Sequence, residues 1–404
     1  MTMARRQTPR PTERRLPRRL YGFVDSVIPA EDDNPRSRLA LHLDAVDADL
    51  FDADPLAIER DDALFLVRLL TTPDRLREFI GVHQAIPEEG SWVSLTTEKS
   101  PGSPRAWLIP SEGDVFGDPI PTNAVEVATG DALDPDAVAR LRAACTSPNT
   151  TRTEASDLRA FIALVPNETS RIEAIDVGQA ACVAFLDRDL CVGYFDVGAP
   201  IFFNRGSFPR HLAHTPSSEG VIILSHWDFD HYALAYDHPI LRTLKWYAPD
   251  QSVGPRTAKF QKSLGSNLNF ISGSLDLGSF KLKRCNGPAS DRNNSGYAMR
   301  VAYDGQAVLL TGDAGYHAIP TDLQSNLTAV MIPHHGGKGA TPPPGPCAKH
   351  SVAVASYGLP NKYRHPCEDQ LDLHDKGGWE IQRTARHGKP PATPRGNRKL
   401  LPIP

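Results

Sequence analysis

The stretch Ser225-His226-Trp227-Asp228-Phe229-Asp230-His231 directly follows the apolar run Gly220-Val221-Ile222-Ile223-Leu224. A short β-branched run of this kind predicts a buried strand, so the polar side chains leave its carboxyl end together, where open α/β sheets bind their ligands. Carboxylates in one loop repel each other, whereas one or two divalent cations would keep them ionised and leave the histidines neutral. The stretch therefore predicts a metal site at the edge of a sheet.

Composition limits the other possibilities. The chain has 404 residues, which favours two medium-sized domains, and its formal net charge of -4 gives no overall attraction to nucleic acid. The six cysteines are scattered and form no C-x-x-C pair, which is typical of reduced cytosolic thiols. No window approaches ~18 apolar residues, and the amino terminus has no apolar signal segment. We therefore expect a soluble, cytoplasmic protein without a membrane partner.

Changes in composition divide the chain into three predicted segments. Residues 1–20 carry seven arginines among prolines, which predicts a basic, disordered tail. Residues 21–165 show no cluster of chemically active side chains, and we expect a small α+β accessory domain with a Ser-, Thr- and Asn-rich linker at 146–157. A protein partner could bind this domain. Residues 166–404 are predicted to form the catalytic domain.

Local patterns predict the elements of the last two segments. In the accessory segment we expect helices at 61–70, 73–79 and 134–141, the last with Asp134 as N-cap before Pro135, and strands at 92–96 and 106–110. Later helices are expected at 317–326 and 367–375, and Asp304-Gly305 predicts a hairpin. Short strands are expected at 171–178, 181–186, 190–198, 221–224, 244–248, 280–284, 297–303, 307–311, 329–333, 352–356 and 379–384. Many strands with few helices predict layered sheets with helices outside.

Potential metal ligands recur where predicted strands end. A single such His or Asp is most often a cap or a turn residue. Several in succession are more informative, because the carboxyl ends of neighbouring strands share one edge of the sheet. Besides the residues of 226–231, this pattern includes Asp196, Asp313, His334, His335 and His365.

Several ordered motifs resemble one known family. The pattern His226-x-Asp228-x-Asp230-His231 is similar to the signature of the metallo-β-lactamase fold, in the form found in ComEC-like competence proteins, where Asp replaces the second histidine of the usual H-x-H-x-D-H. Other matching motifs are Ile175-Asp176-Val177-Gly178-Gln179, Phe195-Asp196-Val197-Gly198, Asn293-Asn294-Ser295, Leu310-Thr311-Gly312-Asp313, Pro333-His334-His335-Gly336-Gly337, and Ser356-Tyr357-Gly358 with Asn361, Tyr363, His365 and Pro366. The resemblance implies an α/β fold, an αββα sandwich, in a stand-alone soluble form without the membrane-spanning part of the competence channel.

The resemblance also implies a site with two divalent metal ions. In that arrangement His226 and Asp228 coordinate one ion, Asp230 and His231 coordinate the other, and Asp313 bridges the two ions. His334 and His365 complete the expected ligands, with His335 ranked behind them as a residue that supports a ligand. The expected catalytic residues are Asp230, Asp196, which orients the loop or binds water, and Asn294, which occupies the place of a further histidine in relatives. Weaker candidates for substrate contacts are Lys338, Arg364 and His335.

The residues leave the metal and the substrate open. Asp228 in place of an imidazole makes the site harder, so manganese or iron competes better with zinc than in an all-histidine site. The leading hypothesis is a phosphodiesterase or nuclease that uses a metal-bound hydroxide on a phosphodiester, with nucleic acid as one candidate partner. The alternatives are a hydrolase of esters, lactones or thioesters on the same fold, and a metal-stabilised binding or sensor module.

Overall fold

Three β-sheets organise the chain in this computed structural model. The structure describes residues 16–28, 38–80, 86–98, 105–112, 115–147, 152–153, 158, 170–212, 218, 220–339, 341–385 and 398–401. Most of the predicted basic tail and part of the predicted linker lie outside the described residues. No described helix is long and apolar enough to cross a membrane, and the six cysteines, all in described segments, are free thiols.

The first sheet closes on itself. Its strands pair in the order β3-β2-β1-β4-β7-β5-β6, and β3 also pairs with β5, so six antiparallel strands form a barrel. Closure removes the exposed edges, and one face of each strand fills the interior. The strands are β1 Arg19–Ile28, β2 Leu39–Asp47, β3 Leu64–Thr71, β4 Trp92–Glu98, β5 Arg105–Glu112, β6 Val115–Phe116 and β7 Ile120–Thr129. The helices of this region are α1 Ala48–Ala53, α2 Pro73–Ile80 and α3 Pro135–Cys145.

The other two sheets share one pattern, in which antiparallel strands are followed by parallel ones. The second sheet has the order β22-β9-β10-β11-β12-β13-β14-β8, and the third runs from β15 to β21. The second sheet contains β8 Arg152–Thr153, β9 Ser170–Ile175, β10 Cys182–Asp187, β11 Leu190–Val197, β12 Val221–Ile223, β13 Lys245–Pro249, β14 Leu268–Ile271 and β22 Arg398–Leu401. The third contains β15 Leu275–Asp276, β16 Phe280–Arg284, β17 Tyr297–Tyr303, β18 Gln306–Leu310, β19 Leu327–Met331, β20 Val352–Ala355 and β21 Glu380–Arg383.

Apolar packing arranges these elements in layers. One buried cluster, with Phe185 and Val308, joins the facing sides of the second and third sheets. In a second cluster, residues of the helices and of the barrel pack against the outer side of the second sheet. A third cluster lies on the outer side of the third sheet. The helices are α4 Phe229–Tyr232, α5 Leu234–Asp237, α6 Pro255–Leu264, α7 Arg292–Ser295 and α8 Glu368–Lys376. A mixed α/β architecture is thus confirmed.

Most predicted elements occur within a few residues of their expected bounds, but two predicted helices are wrong. Residues 61–70 form a short 3-10 turn, Asp61–Ala63, and then β3, because Phe65 and Val67 face the barrel interior while Leu64 and Leu66 face the outer cluster. Burial on both faces produces a continuous apolar run that resembles a buried helix. Of residues 317–326, only Thr321–Leu323 form a 3-10 turn, since Pro320 interrupts the helical hydrogen bonds.

The barrel is joined to the second sheet by a buried helix cap. The Asp44 carboxylate on β2 accepts hydrogen bonds from the backbone N–H groups of Arg256 at 2.9 Å and Thr257 at 3.0 Å, at the start of α6. These bonds satisfy two amides that lack partners within the helix. A Cβ atom at Gly254 would lie 2.5 Å from Asp44, so only glycine fits beside this cap.

The buried histidine of the barrel gives a prediction for acid stability. Burial, followed by the nearby charge of Arg68, lowers the pKa of His42 from 6.5 to about 3. The unfolded chain binds a proton below pH 6.5 whereas the folded chain does not, so stability present above pH 6.5 is lost as the pH falls toward 3. We expect His42 to account for a loss of about 2 kcal/mol in the free energy of unfolding between pH 7 and pH 5.

Urea unfolding at the two pH values checks this prediction. The variant His42→Gln should show an acid loss smaller than that of the wild type by this amount. His350→Gln, which changes an exposed histidine, should retain the wild-type loss. Equal pH dependence in the wild type and His42→Gln would contradict the assignment.

Candidate metal centre

The predicted ligands meet at the carboxyl ends of the central strands of both sheets. Asp196 lies near the end of β11, and the 225–231 loop follows β12. Asp313 follows β18, and the histidine pair 334–335 follows β19. Because β11 and β12 are parallel, as are β18 and β19, each pair of strands delivers its polar residues to one edge.

Two overlapping groups of side chains could each hold a metal ion. The first consists of His226, His231 and Asp313, and the second of Asp230, His231 and His335. Within each group, the ligand atoms all lie within 4.8 Å of one another. All of these side chains are buried except that of Asp230, which is 16% exposed.

Asp196 orients the loop from behind. Its carboxylate accepts hydrogen bonds from the backbone N–H and the hydroxyl of Ser225, at 2.7 and 2.8 Å, and lies 2.8 Å from His231 Nδ1. A proton on Nδ1 leaves Nε2 directed at Asp313 Oδ1, 3.1 Å away. Such carboxylate–histidine contacts fix the tautomer and the ring orientation of metal ligands. Asp196 therefore positions the candidate ligand His231, and both of its carboxylate oxygens are occupied by contacts with Ser225 and His231.

Positive charge is favoured between the carboxylates of this site. Burial alone would lower the pKa of His231, but Asp313 and then Asp196 raise it well above its ordinary value. Burial alone would raise the pKa of Asp313, but His231 and then His335 keep it well below its ordinary value. A site that attracts a proton in this way also attracts a cation.

The two adjacent histidines are placed differently. His335 is 3% exposed, its Nδ1 lies 2.9 Å from the carbonyl oxygen of Ser356, and its Nε2 lies 3.3 Å from Asp230 Oδ2. The side chain of His334 is 47% exposed, and its Nε2 lies 3.9 Å from Asp313 Oδ2. Both residues have a positive φ, so the backbone turns sharply between them. This geometry favours His335 over His334 as a ligand, the reverse of the sequence-based ranking.

His365 lies beside the two groups. Its ring centroid is 5.1 Å from that of His334 and 6.0 Å from that of His335, and its Nδ1 is 3.1 Å from Gln179 Nε2. Burial and the neighbouring His334 hold the pKa of His365 well below its ordinary value, so its ring is neutral. The structure therefore brings His365 to the rim, next to the clustered ligands.

The remaining predicted residues lie around the centre. Asn294 donates to Asp291 Oδ2 at 2.7 Å and accepts from the Gly315 N–H at 2.9 Å, so its amide holds the loop after Asp313. Lys338 and Arg364 are exposed, on the segments that follow His335 and precede His365. A Cβ atom at Gly198 would lie 1.7 Å from the Asp230 carbonyl oxygen, which explains the glycine of the motif at 195–198.

A buried arginine that the sequence did not single out contacts the centre. Arg292 Nη2 lies 2.7 Å from Asp228 Oδ1 and also donates to the carbonyl oxygen and Oδ1 of Asp25, at 2.7 and 2.9 Å. Burial alone would raise the pKa of Asp228, but Arg292 and then His226 lower it to about 2. Asp25 belongs to β1 of the barrel. No local signal marks Arg292, because its partners are distant in the sequence.

The donor atoms fit divalent metal ions. His226, His231 and His335 each direct a buried Nε2 atom toward a carboxylate at 3.1 to 3.4 Å, and none of these atoms has a hydrogen-bond partner among the described residues. Buried nitrogen atoms without partners are costly, and one or more cations would satisfy them. Imidazole and carboxylate together suit zinc, manganese and iron.

The comparisons with known proteins do not assign this chain to a family. No protein-family model matches the sequence, and no curated protein matches it either. Among solved structures, the metallo-β-lactamase fold protein YhfI from Bacillus subtilis is similar, with 14% sequence identity, and the match covers 57% of this chain and 99% of that chain. The TM-score of this match is 0.34.

The contacts of Arg292 predict a large effect on stability. In Arg292→Gln, the Asp228 side chain, which is only 14% exposed, would remain beside His226 without its cationic partner. We expect the free energy of unfolding of the metal-free protein to fall by about 3–5 kcal/mol, measured by denaturant titration. The control Arg284→Gln, which changes an exposed guanidinium, should lower it by about 1 kcal/mol at most. Similar losses in both variants would contradict this role.

Proposed function

We propose that this chain is a metal-dependent hydrolase of the metallo-β-lactamase fold that cleaves phosphodiesters at the 226–231 rim. The observation that carries the proposal is a set of three buried imidazole Nε2 atoms that face three carboxylates and have no hydrogen-bond partner among the described residues. The layered sheets, with all the ligands at one end, and the ordered sequence motifs support the fold assignment. The three carboxylates suit the hard cations that handle phosphates.

The proposed ligand set differs from the sequence-based one in two ways, because His335 takes the place of His334 and His365 is no longer a ligand. His226 and Asp228 would hold one ion, Asp230, His231 and His335 the other, and Asp313 both. Bound divalent ions would supply a nucleophile near neutral pH and offset charge on a phosphoryl oxygen. Asp196 orients His231, Ser356 orients His335, and Arg292 keeps Asp228 ionised. His334 and His365 would face the substrate from the rim.

Metal content distinguishes the two adjacent histidines. We expect His335→Asn to lose at least one bound ion per chain, because it removes a buried donor atom 3.3 Å from Asp230. His334→Asn changes a half-exposed ring and should retain the wild-type metal content. Elemental analysis of protein dialysed against Mn²⁺ or Zn²⁺ measures both. Loss in His334→Asn with retention in His335→Asn would restore the sequence-based ranking.

Activity toward a simple phosphodiester tests the reaction. Wild-type protein with Mn²⁺ or Zn²⁺ should hydrolyse bis(p-nitrophenyl) phosphate, and Asp230→Asn should reduce kcat/KM by about 100-fold or more. Asp322→Asn, an exposed carboxylate that pairs with Lys283, should leave kcat/KM unchanged. Turnover of esters, lactones or thioesters without turnover of phosphodiesters, DNA or RNA would overturn the proposed substrate class but not the metal site.

A further inference from the structure

A large cavity lies between part of the barrel and part of the second sheet. Its volume is about 570 Å³, and its walls come from β1, β4, the end of α3, the 250–253 loop, α6 and the segment 284–292. This size lies within the range of small-molecule sites, which favour domain interfaces. None of the clustered metal ligands lines the cavity. It is therefore a site distinct from the metal centre.

Part of the cavity wall is aromatic. Phe23 and Trp92 line it from the barrel, with their ring centroids 5.4 Å apart, and Phe270 lines it from the second sheet. The lining residue Gln261 is 2% exposed, and its Nε2 has no hydrogen-bond partner in the part of the chain that the structure describes. Aromatic rings beside a buried amide donor suit a planar heterocycle with acceptor atoms.

Another part of the wall is cationic. Arg142 and Arg284 line the cavity, and neither forms an ion pair with a carboxylate of the described segments. The acidic residue of the lining, Asp250, is paired with Arg152 at 2.6 Å. Guanidinium groups without carboxylate partners suit a phosphate group, which they bind through paired hydrogen bonds.

We propose that this cavity binds a mononucleotide, with the base against Trp92, Phe23 and Phe270 and the phosphate at Arg142 and Arg284. The aromatic wall, the buried amide and the two guanidinium groups of the lining would recognise both parts of such a ligand. The site is additional to the proposed phosphodiesterase centre and does not depend on it. Arg292 also lines the cavity, so one side chain separates the ligand from Asp228.

Calorimetric titration of metal-stripped protein with AMP, GMP, CMP and UMP tests the proposal, because binding at the metal centre is then removed. We expect at least one mononucleotide to bind about tenfold or more tightly than its nucleoside or inorganic phosphate alone. Arg142→Gln and Arg284→Gln should each weaken this binding by about tenfold or more. Arg75→Gln, an exposed arginine on α2 outside the cavity, is the matched control and should bind as the wild type does.

Four results would overturn the inference. Three of them are the absence of mononucleotide binding at millimolar concentration, binding that requires added metal, and binding that survives both Arg142→Gln and Arg284→Gln. Phosphate alone binding as tightly as the nucleotide would also overturn it, because the aromatic wall would then contribute nothing. Arg142 is exposed on the last turn of α3, so its variant is expected to fold. The metal content and phosphodiesterase activity of Arg142→Gln are measured in separate assays. A failure of nucleotide binding can then be distinguished from a failure of the proposed function.

Discussion

Four carboxylates lie buried or partly buried at one rim, and each requires a positive or proton-donating neighbour. Asp196 is satisfied by Ser225 and His231, and Asp228 contacts Arg292. Asp313 and Asp230 face imidazole nitrogens that have no other described partner. An uncompensated buried charge costs several kcal/mol, so the strand ends, the loop geometry and the glycines beside them are all constrained by this requirement.

The position of the centre could be predicted from the sequence because it follows from local patterns. Apolar runs that end in Asp or His mark the carboxyl ends of strands, and parallel strands bring those ends to one edge. The burial of His335 and the exposure of His334 could not be predicted, because they depend on two successive residues with positive φ that turn one ring inward and the other outward. In the sequence, the two residues are adjacent and have the same side chain, so a pattern cannot distinguish them.

The interactions between distant segments could not be predicted either. Barrel closure depends on the pairing of β3 with β5, and β3 resembled a helix because both of its faces are buried. Arg292 pairs with a residue 267 positions earlier in the chain. Three sequence-based expectations stay predictions: a domain boundary at residue 165, a protein partner that binds the accessory domain, and a cytoplasmic location. The short strand β8, which precedes that boundary, pairs with β14 of the second sheet.

The contact of Arg292 with Asp25 has a consequence for how this protein can be divided. Arg292 donates to two oxygen atoms of β1, one of them from the backbone, while it contacts Asp228 in the metal loop. A fragment that contains only the two stacked sheets would retain every metal donor atom but lose the support that orients this guanidinium. The barrel and the 225–231 loop are thus electrostatically coupled through Arg292. A fragment without the barrel would need a replacement for the β1 contacts that orient this guanidinium.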